Sequence, residues 1–202
     1  MKKLSPRFYQ RQDVVQIAKE LIGKVVVTHI NGVTTSGRIA ETEAYMAHVD
    51  RASHSYNGKR TSRNEPMYSH AGTVYVYICY GMHNMLNVVT NDKDVPDAVL
   101  IRALEPIEGI EEMLKRTGKK VLDHTLTKGP GNLAKALGLT KAQSGLQFGH
   151  AEIDIYDDGY KIKEEEIGVS KRIGIDSAGD DALLPYRFYI RGNKFVSGRP
   201  VK

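Results

Sequence analysis

Asn31-Gly32 stands between two extended runs of residues, and it constrains the fold more than any other feature of the chain. The run before it, Lys24 to Ile30, is rich in β-branched residues, and the run after it, Val33 to Tyr45, is longer. An Asn-Gly pair between such runs is the strongest short-range signal of a β-hairpin, because both residues tolerate positive φ angles. We therefore predict an antiparallel hairpin whose second strand ends at Tyr45.

The end of this second strand carries two carboxylates and a phenol. Side chains alternate between the faces of a strand, so Glu41, Glu43 and Tyr45 are predicted to share one face. Two carboxylates so close repel each other unless a cation or solvent separates them, and an acid beside an aromatic wall is a candidate for proton chemistry. A solvated strand end is the simpler interpretation of the spacing alone.

Gly72 to Gly81 is a second extended stretch, and it carries three tyrosines. One side of the predicted strand is apolar and is expected to be buried, while the other side presents aromatic rings. Cys79 is the only cysteine, which excludes an intrachain disulfide, and we expect it to be an inert buried thiol. The predicted apolar side consists of Val74, Val76, Ile78 and Tyr80, and the other side of Thr73, Tyr75, Tyr77 and Cys79.

Strand and helix patterns alternate irregularly along the rest of the chain. They predict a mixed α/β fold of the α+β type, in which residues 1–202 form a single domain with a curved antiparallel sheet and flanking helices. Arg102 lies inside one predicted strand and needs a partner, for which Glu41 or Glu43 would serve. The predicted strands include residues 83–90, 98–104, 151–156 and 186–190, and the predicted helices are residues 14–21, capped by Asp13, residues 107–115, begun by Pro106, and residues 134–137.

Basic residues are concentrated in a predicted loop. The 202 residues include 29 Lys+Arg and 24 Asp+Glu, a net charge of +5 that suits a polyanionic partner. Within residues 47–71, four cations occur with no acid between them, and they form either a solvated surface or a set of phosphate contacts. Lys128 begins a glycine-rich turn that opens a helix, where free amide groups suit a phosphate. The four loop cations are Arg51, Lys59, Arg60 and Arg63.

Several classes of protein lack support in the sequence. There is no thiolate pair, no His-Glu-x-x-His spacing, no dinucleotide or phosphate-loop motif and no Gly-x-Ser-x-Gly elbow, so we expect neither a metal nor a cofactor. No signal peptide is recognised at Met1 to Ser5, and no run of eighteen apolar residues occurs. We expect an intracellular, monomeric protein that does not associate with membranes.

Longer strings of residues resemble a known family across nearly the whole chain. They are Arg38-Ile-Ala-Glu-Thr-Glu-Ala-Tyr45, His54-Ser, Arg63-Asn64, Gly72 to Met82, Asn87, Leu100 to Pro106, Lys128-Gly-Pro and Arg187 to Gly192. In this order and length, they resemble the 3-methyladenine (alkyladenine) DNA glycosylase family.

The resemblance implies a monofunctional enzyme of base-excision repair that acts on duplex DNA containing a damaged purine. Such enzymes flip an alkylated or deaminated purine out of the duplex, for example 3-methyladenine, 7-methylguanine, hypoxanthine or etheno-adenine, and hydrolyse its N-glycosidic bond. If the source is bacterial, the location is the cytoplasm, at the nucleoid. Glu43 matches the general base of the family and Arg102 a residue that positions it. The pocket walls match Tyr45, His54, Tyr77 and Asn87, the side chain inserted into the duplex matches Tyr80, and Lys59, Arg60, Arg63 and Lys128 are the candidate contacts to the DNA backbone.

Two other functions use some of the same residues. A non-catalytic nucleic-acid-binding module would need the same rings and cations but no carboxylate chemistry. An O-glycoside hydrolase would need a second carboxylate on the opposite side of the sugar, and Glu41 is too close to Glu43 along the strand to supply it.

Overall fold

The computed structural model describes residues 1–198, and within this range the strands join into one antiparallel sheet. The hairpin predicted at Asn31-Gly32 is present, with positive φ angles at both turn residues. The strands are β1 (Lys2–Lys3), β2 (Val25–Ile30), β3 (Val33–Tyr45), β4 (Val74–Cys79), β5 (His83–Thr90), β6 (Asp97–Glu108), β7 (Ile153–Asp157), β8 (Ile167–Ser170) and β9 (Arg187–Ile190). The helices are α1 (Pro6–Tyr9), α2 (Val14–Leu21), α3 (Ile110–Thr117) and α4 (Pro130–Ala136).

Strand β3 organises the sheet because it has different neighbours along its length. Its first half pairs with β2 and its second half pairs with β9, while β6 pairs along the other edge. The strand order is β1-β7-β2-β3-β6-β5-β4, and β9 connects β3 to β8. The end of β3 that carries Glu41 and Glu43 is therefore enclosed between β6 and β9.

The opposite face of β3 packs on helix α2. Asp13 caps this helix as predicted, with its carboxylate accepting a hydrogen bond of 2.9 Å from the Gln16 amide. Ile17 and Leu21 are fully buried in the main hydrophobic core. The Thr42 hydroxyl donates a 2.8 Å hydrogen bond to the Ala18 carbonyl, which fixes the helix to the strand. The face opposite Thr42 is left for the carboxylates.

Several elements have bounds that differ from the prediction, and some elements were not predicted. Pro106 does not begin a helix but lies in β6, opposite Gly37, where the register with β3 shifts. Helix α3 begins after Gly109, whose φ of 72° and close approach to the Thr34 carbonyl leave no space for a side chain. Helix α4 begins at Pro130 instead of residue 134, and strand β8 was not predicted.

The predicted fold class is confirmed: the structure is mixed α/β, with an open antiparallel sheet and few helices. Within residues 1–198, no helix is both long and apolar enough to span a membrane.

Candidate active site

Glu41 is held by donors from three parts of the chain. Its carboxylate accepts hydrogen bonds from Arg102 Nε at 3.0 Å and from Arg187 Nε at 2.6 Å. The amide and the hydroxyl of Ser197 also donate to it, at 2.6 and 2.8 Å. Three of these four bonds go to Oε1 and one to Oε2, and none of the residues that donate them lines the cavity described below.

Glu43 has a different environment two residues further along β3. Its Oε2 accepts hydrogen bonds from the Tyr45 hydroxyl at 2.8 Å and from Arg102 Nη1 at 3.1 Å. Within residues 1–198, its Oε1 accepts one hydrogen bond, from the Ile173 amide at 2.8 Å, so one of its two acceptor positions has no donor from these residues. Arg102 therefore separates the two carboxylates, as the sequence required, and bonds to both.

Burial dominates the protonation of Glu43. The side chain is fully buried, which raises the pKa of its carboxyl group above the usual value because the charged form is deprived of solvent. Arg102, the Ile173 amide and the Tyr45 hydroxyl lower the pKa again, and Glu41 adds to the rise. The pKa of Glu43 thus depends first on burial and then on these four neighbours.

A cavity of about 190 Å³ lies beside this carboxylate. Tyr45 lines the cavity and also donates to Glu43, so the carboxylate lies one side chain behind the cavity surface. Strand β4 contributes the rings of Tyr75 and Tyr77, which are tilted relative to each other. His54, from the preceding loop, meets the Tyr77 ring edge to face, with the ring centroids 4.5 Å apart. The lining includes Tyr45, His54, Tyr75, Tyr77, Asn87 and Ala98.

His54 and Asn87 supply polar groups to the wall of the cavity. His54 Nδ1 lies 2.9 Å from the Tyr75 hydroxyl, and burial lowers the pKa of His54 to about 4, with further contributions from Arg63 and Lys59. Asn87 is fixed by two hydrogen bonds from its Nδ2 to the carbonyls of Tyr75 and Met85, at 3.2 and 3.1 Å.

Cys79 also lines the cavity and is partly exposed, so the expectation of a buried thiol was wrong. It is the last residue of β4, where the strand leaves the core. Ile78 is 43% exposed for the same reason, although it was predicted on the buried side of the strand.

Tyr80 lies in the turn between β4 and β5, next to the cavity. Tyr80 and Gly81 have φ angles of 49° and 72°, and the Met82 amide donates to the Cys79 carbonyl at 3.1 Å, which is the pattern of a type I′ turn. The Tyr80 side chain is 85% exposed and Met82 is 73% exposed. Two large side chains thus project from this turn. The prediction that Tyr80 lies within the strand, on the buried side of the sheet, was wrong.

The predicted backbone-contacting cations differ in their partners. Lys59 and Arg63 line a second cavity that shares His54 and Arg63 with the first, and Arg63 also donates to the Ile78 carbonyl at 3.2 Å. Arg60 is bound instead by Glu65 and Asp94, each at 2.9 Å from a guanidinium nitrogen. Lys128 lies at the start of α4, where its backbone forms an isolated bridge with Ala103.

Several site residues were not predicted. Arg187 and Ser197 hold Glu41 from the far end of the chain, and the Ile173 amide holds Glu43. Gly174 and Ile175 line the cavity. Arg187 could have been found, because an arginine at the start of a predicted strand needs a partner. No local sequence pattern marks Ser197, Ile173, Gly174 or Ile175 as site residues.

Comparisons with known proteins agree with the resemblance noted in the sequence. The methylpurine-DNA glycosylase family model matches residues 7–194. A "Putative 3-methyladenine DNA glycosylase" from Clostridium perfringens (strain 13 / Type A) is 48% identical over 203 residues, which cover 96% of this chain and 98% of the relative. Proteins of the same name from Clostridium acetobutylicum and Clostridium novyi (strain NT) are 43% and 45% identical, over 96% and 98% of this chain and 97% and 99% of the relatives. The chain therefore belongs to the methylpurine-DNA glycosylase family.

Proposed function

We propose that this protein is a monofunctional DNA glycosylase that flips an alkylated or deaminated purine out of duplex DNA and hydrolyses its N-glycosidic bond. The observation that carries the proposal is that Glu43, a fully buried carboxylate with one Oε1 acceptor position that no donor within residues 1–198 occupies, is bonded to Tyr45, a ring that lines the cavity. Family membership makes 3-methyladenine the first substrate to test, and 7-methylguanine, hypoxanthine and etheno-adenine the next.

Glu43 is the proposed general base, and the water is assigned to the free position on its Oε1. As the C1′–N bond breaks, its electron pair leaves with the purine and positive charge develops on the sugar. The water oxygen bonds to C1′ and its proton passes to Glu43. The negative charge of Glu43 stabilises the sugar cation at the same time, and Arg102 keeps the carboxylate in place at 3.1 Å.

Glu41 is not assigned this chemistry because its carboxylate is bound to two guanidinium groups and, among residues 1–198, it accepts no hydrogen bond from a residue that lines the cavity, whereas Glu43 accepts one from Tyr45. The same observation weakens the O-glycoside hydrolase alternative, since a carboxylate bound to two guanidinium groups does not protonate a leaving group. We assign Glu41 the task of orienting Arg102.

The proposed pocket accepts a purine by stacking it on Tyr45 and Tyr77. Stacking on an aromatic side chain contributes about 1–3 kcal/mol per base, and a purine made cationic by alkylation gains further from the ring faces. Asn87 is the proposed screen against the exocyclic amino group of guanine. Its position is fixed by its bonds to Tyr75 and Met85, so it cannot turn away from an incoming base.

A hydrolytic, monofunctional reaction fits the lining of the cavity. Glycosylases that also cleave the strand need an amine that forms a Schiff base with the sugar. Among residues 1–198, the ones that line the cavity include no lysine, and Arg63 is their single permanent cation. A monomer is proposed because this chain supplies the carboxylate, its donors and the aromatic wall of the cavity, and residues 1–202 are proposed to form one domain because β1 and β9 join the same sheet.

The test is the substitution Glu43→Gln, assayed on duplex DNA with one methylated or deaminated purine. We expect excision in a single turnover to fall by roughly 10²–10⁴, the range for loss of a general base, while binding to the lesion is kept. Release of the free purine and formation of an abasic site are measured together. A wild-type protein that binds the lesion and releases no base would establish the non-catalytic alternative.

Glu41→Gln is the matched control for the choice of carboxylate. It removes the same charge two residues away, and we expect a much smaller loss of excision per folded molecule. Its main effect is on stability, because Arg102 and Arg187 are left without full compensation; breaking a buried ion pair typically costs about 3–5 kcal/mol. Equal losses of excision in both variants would show that the assignment of Glu43 as the general base is wrong.

A further inference from the structure

Arg172 connects three segments around the site through one fully buried guanidinium group. Its Nη1 donates to the Ala44 carbonyl at 2.9 Å and to Asp50, and its Nη2 donates to the other oxygen of Asp50 at 2.8 Å. Nη2 also donates to the Asp181 carbonyl at 3.0 Å. The end of β3, the loop after it and the turn before β9 are therefore joined at this residue.

Arg172 belongs to a short irregular segment, residues 171–175, that we call the strap. The strap runs from β8 across the end of β3 and covers the carboxylate. The residue after Arg172 donates its amide to Glu43 at 2.8 Å, and the next two residues, Gly174 and Ile175, line the cavity. The guanidinium group also lies over the Tyr45 ring, 4.7 Å from its centroid. Both the carboxylate and the ring wall thus depend on where Arg172 is fixed.

We propose that Arg172 is a positioning residue for the glycosylase reaction: with Asp50 it holds the strap against β3, so that the Ile173 amide stays on Glu43 and Gly174 and Ile175 complete the cavity wall. The inference rests on the proposed function, because it assigns Arg172 a role in that same site. Arg172 does not line the cavity, so it acts through the strap and through Tyr45.

A merely structural ion pair is the alternative, and the chain offers a close match for comparison. Arg38 is bound by both oxygens of Asp158, at 3.1 and 2.7 Å, and donates to the Gly23 carbonyl at 2.9 Å. Its guanidinium group lies 4.1 Å from the centroid of the Tyr160 ring. This pair has the same hydrogen-bonding groups in the middle of β3 and does not line the cavity, although its side chains are 17% and 24% exposed.

The decisive variant is Arg172→Lys, with Arg38→Lys as its control. Lysine keeps the positive charge but replaces a planar fork with a single ammonium group, so it cannot bond to Asp50, Ala44 and Asp181 in the same geometry. The strap then loses its fixed position, and Glu43 loses an amide that lowers its pKa. No charge facing Glu43 changes sign in this variant; the groups concerned are Arg102, Glu41, Tyr45, Tyr77 and residue 172.

The measurement is the pH dependence of single-turnover excision, together with an NMR titration of the Glu43 side-chain carboxyl carbon. For Arg172→Lys we expect both midpoints to move upward by about one pH unit, the equivalent of one hydrogen bond to the carboxylate, and excision on the acid side to fall about tenfold. Lesion binding should fall less than excision, because strands β3, β4 and β5 keep the rest of the cavity wall in place. Arg38→Lys should leave both midpoints in place even if its melting temperature falls by as much.

An Arg172→Lys variant whose two midpoints equal those of the wild type would overturn the proposal, whatever its stability. If this variant does not fold, the double variant Arg172→Gln with Asp50→Asn replaces it, because removing both charges leaves no buried charge unpaired. The same upward movement is expected there, and its absence has the same meaning. The NMR titration does not depend on catalysis, so a wild type without glycosylase activity would end the proposed function and still test the strap.

Discussion

His54 shows how burial sets the charge of a single residue at the site. Its ring contacts the Tyr75 hydroxyl at 2.9 Å and Tyr77 edge to face, and its pKa falls to about 4 because of burial first and of Arg63 and Lys59 next. The imidazole is therefore neutral at pH 7. A neutral ring does not repel a cationic alkylated purine, whereas a protonated one would oppose its entry.

The low pKa of His54 also predicts how stability depends on pH. In the unfolded chain the ring binds a proton below about pH 6.5, while in the folded protein it does so only below about pH 4. The unfolded state thus binds more protons between these values, so the free energy of unfolding should rise with pH across this window, by about 3 kcal/mol at most. Urea denaturation at several pH values measures it.

The substitution His54→Phe is the control for this dependence. It keeps a ring in contact with Tyr77 but has no titrating group, and the rise of stability between about pH 4 and 6.5 should shrink accordingly. A rise of the same size in the variant would assign the titration to another residue.

Alternation of side chains along a strand was sufficient to predict part of the site. It placed Glu41, Glu43 and Tyr45 on one face, and Arg102 was expected to bond to one of the carboxylates; the structure confirms the shared face and shows bonds to both. The donors from Arg187 and Ile173 could not be predicted. They lie 146 and 130 residues away along the chain, and only the pairing of β9 with β3 brings that region to the site.

The hairpin of β4 and β5 combines a rigid base with an exposed turn. Val74 and Val76 are buried in the core, whereas the turn residues Tyr80 and Met82 are largely exposed. Tyr80 has a left-handed backbone conformation, so its ring does not project in the direction that it would have in an extended strand. An apolar ring held out of the fold by a well-packed hairpin suits insertion into a base stack.

Tyr80→Ala should therefore weaken lesion binding without unfolding the protein. Because Tyr80 is 85% exposed, its truncation leaves no cavity, and the melting temperature should stay close to that of the wild type. Loss of the ring removes the side chain that we propose replaces the flipped nucleotide, so affinity for a paired lesion should fall more than affinity for a lesion opposite a mismatch. Binding titrations with both duplexes measure the ratio.

Tyr160→Ala serves as the control for an exposed tyrosine outside this turn. It is 49% exposed, and its loss should leave the ratio of the two affinities unchanged. If Tyr80→Ala lowers the melting temperature strongly and keeps the wild-type ratio, the insertion role is wrong.

Boundaries of elements were harder to predict than their existence. A proline followed by an amphipathic run is typical of a helix start, which is why Pro106 was expected to begin α3. In the structure, β6 continues to Glu108 and the helix begins only after Gly109, which adopts the left-handed conformation required next to Thr34. The approach of Thr34 depends on the pairing of β3 with β6, which a local pattern does not contain.

At the scale of the whole molecule, the distribution of charge matters more than its sum. The net charge of +5 suits a polyanionic partner but does not indicate which cations are available to it. Arg60 forms ion pairs with two acids, Glu65 and Asp94, whereas Lys59 and Arg63 line a cavity that adjoins the proposed base pocket. The difference is due to Glu65, which follows the last cation of the basic loop, and to Asp94, which only the folded chain brings to Arg60.

The salt dependence of lesion binding should separate these cations. A side chain that neutralises one phosphate releases counterions and contributes about 0.9 to the slope of log affinity against log salt. We expect Lys59→Ala and Arg63→Ala each to flatten the slope by about this amount. Arg60→Ala should flatten it by less, because Arg60 must break its ion pairs with Glu65 and Asp94 before it can bind a phosphate. Lys2→Ala is the control, since β1 lies at the edge of the sheet opposite β4. Binding of a damaged duplex is measured over a series of salt concentrations; slopes that stay unchanged in Lys59→Ala and Arg63→Ala would remove both residues from the DNA interface, and a full change in Arg60→Ala would show that DNA displaces Glu65 and Asp94.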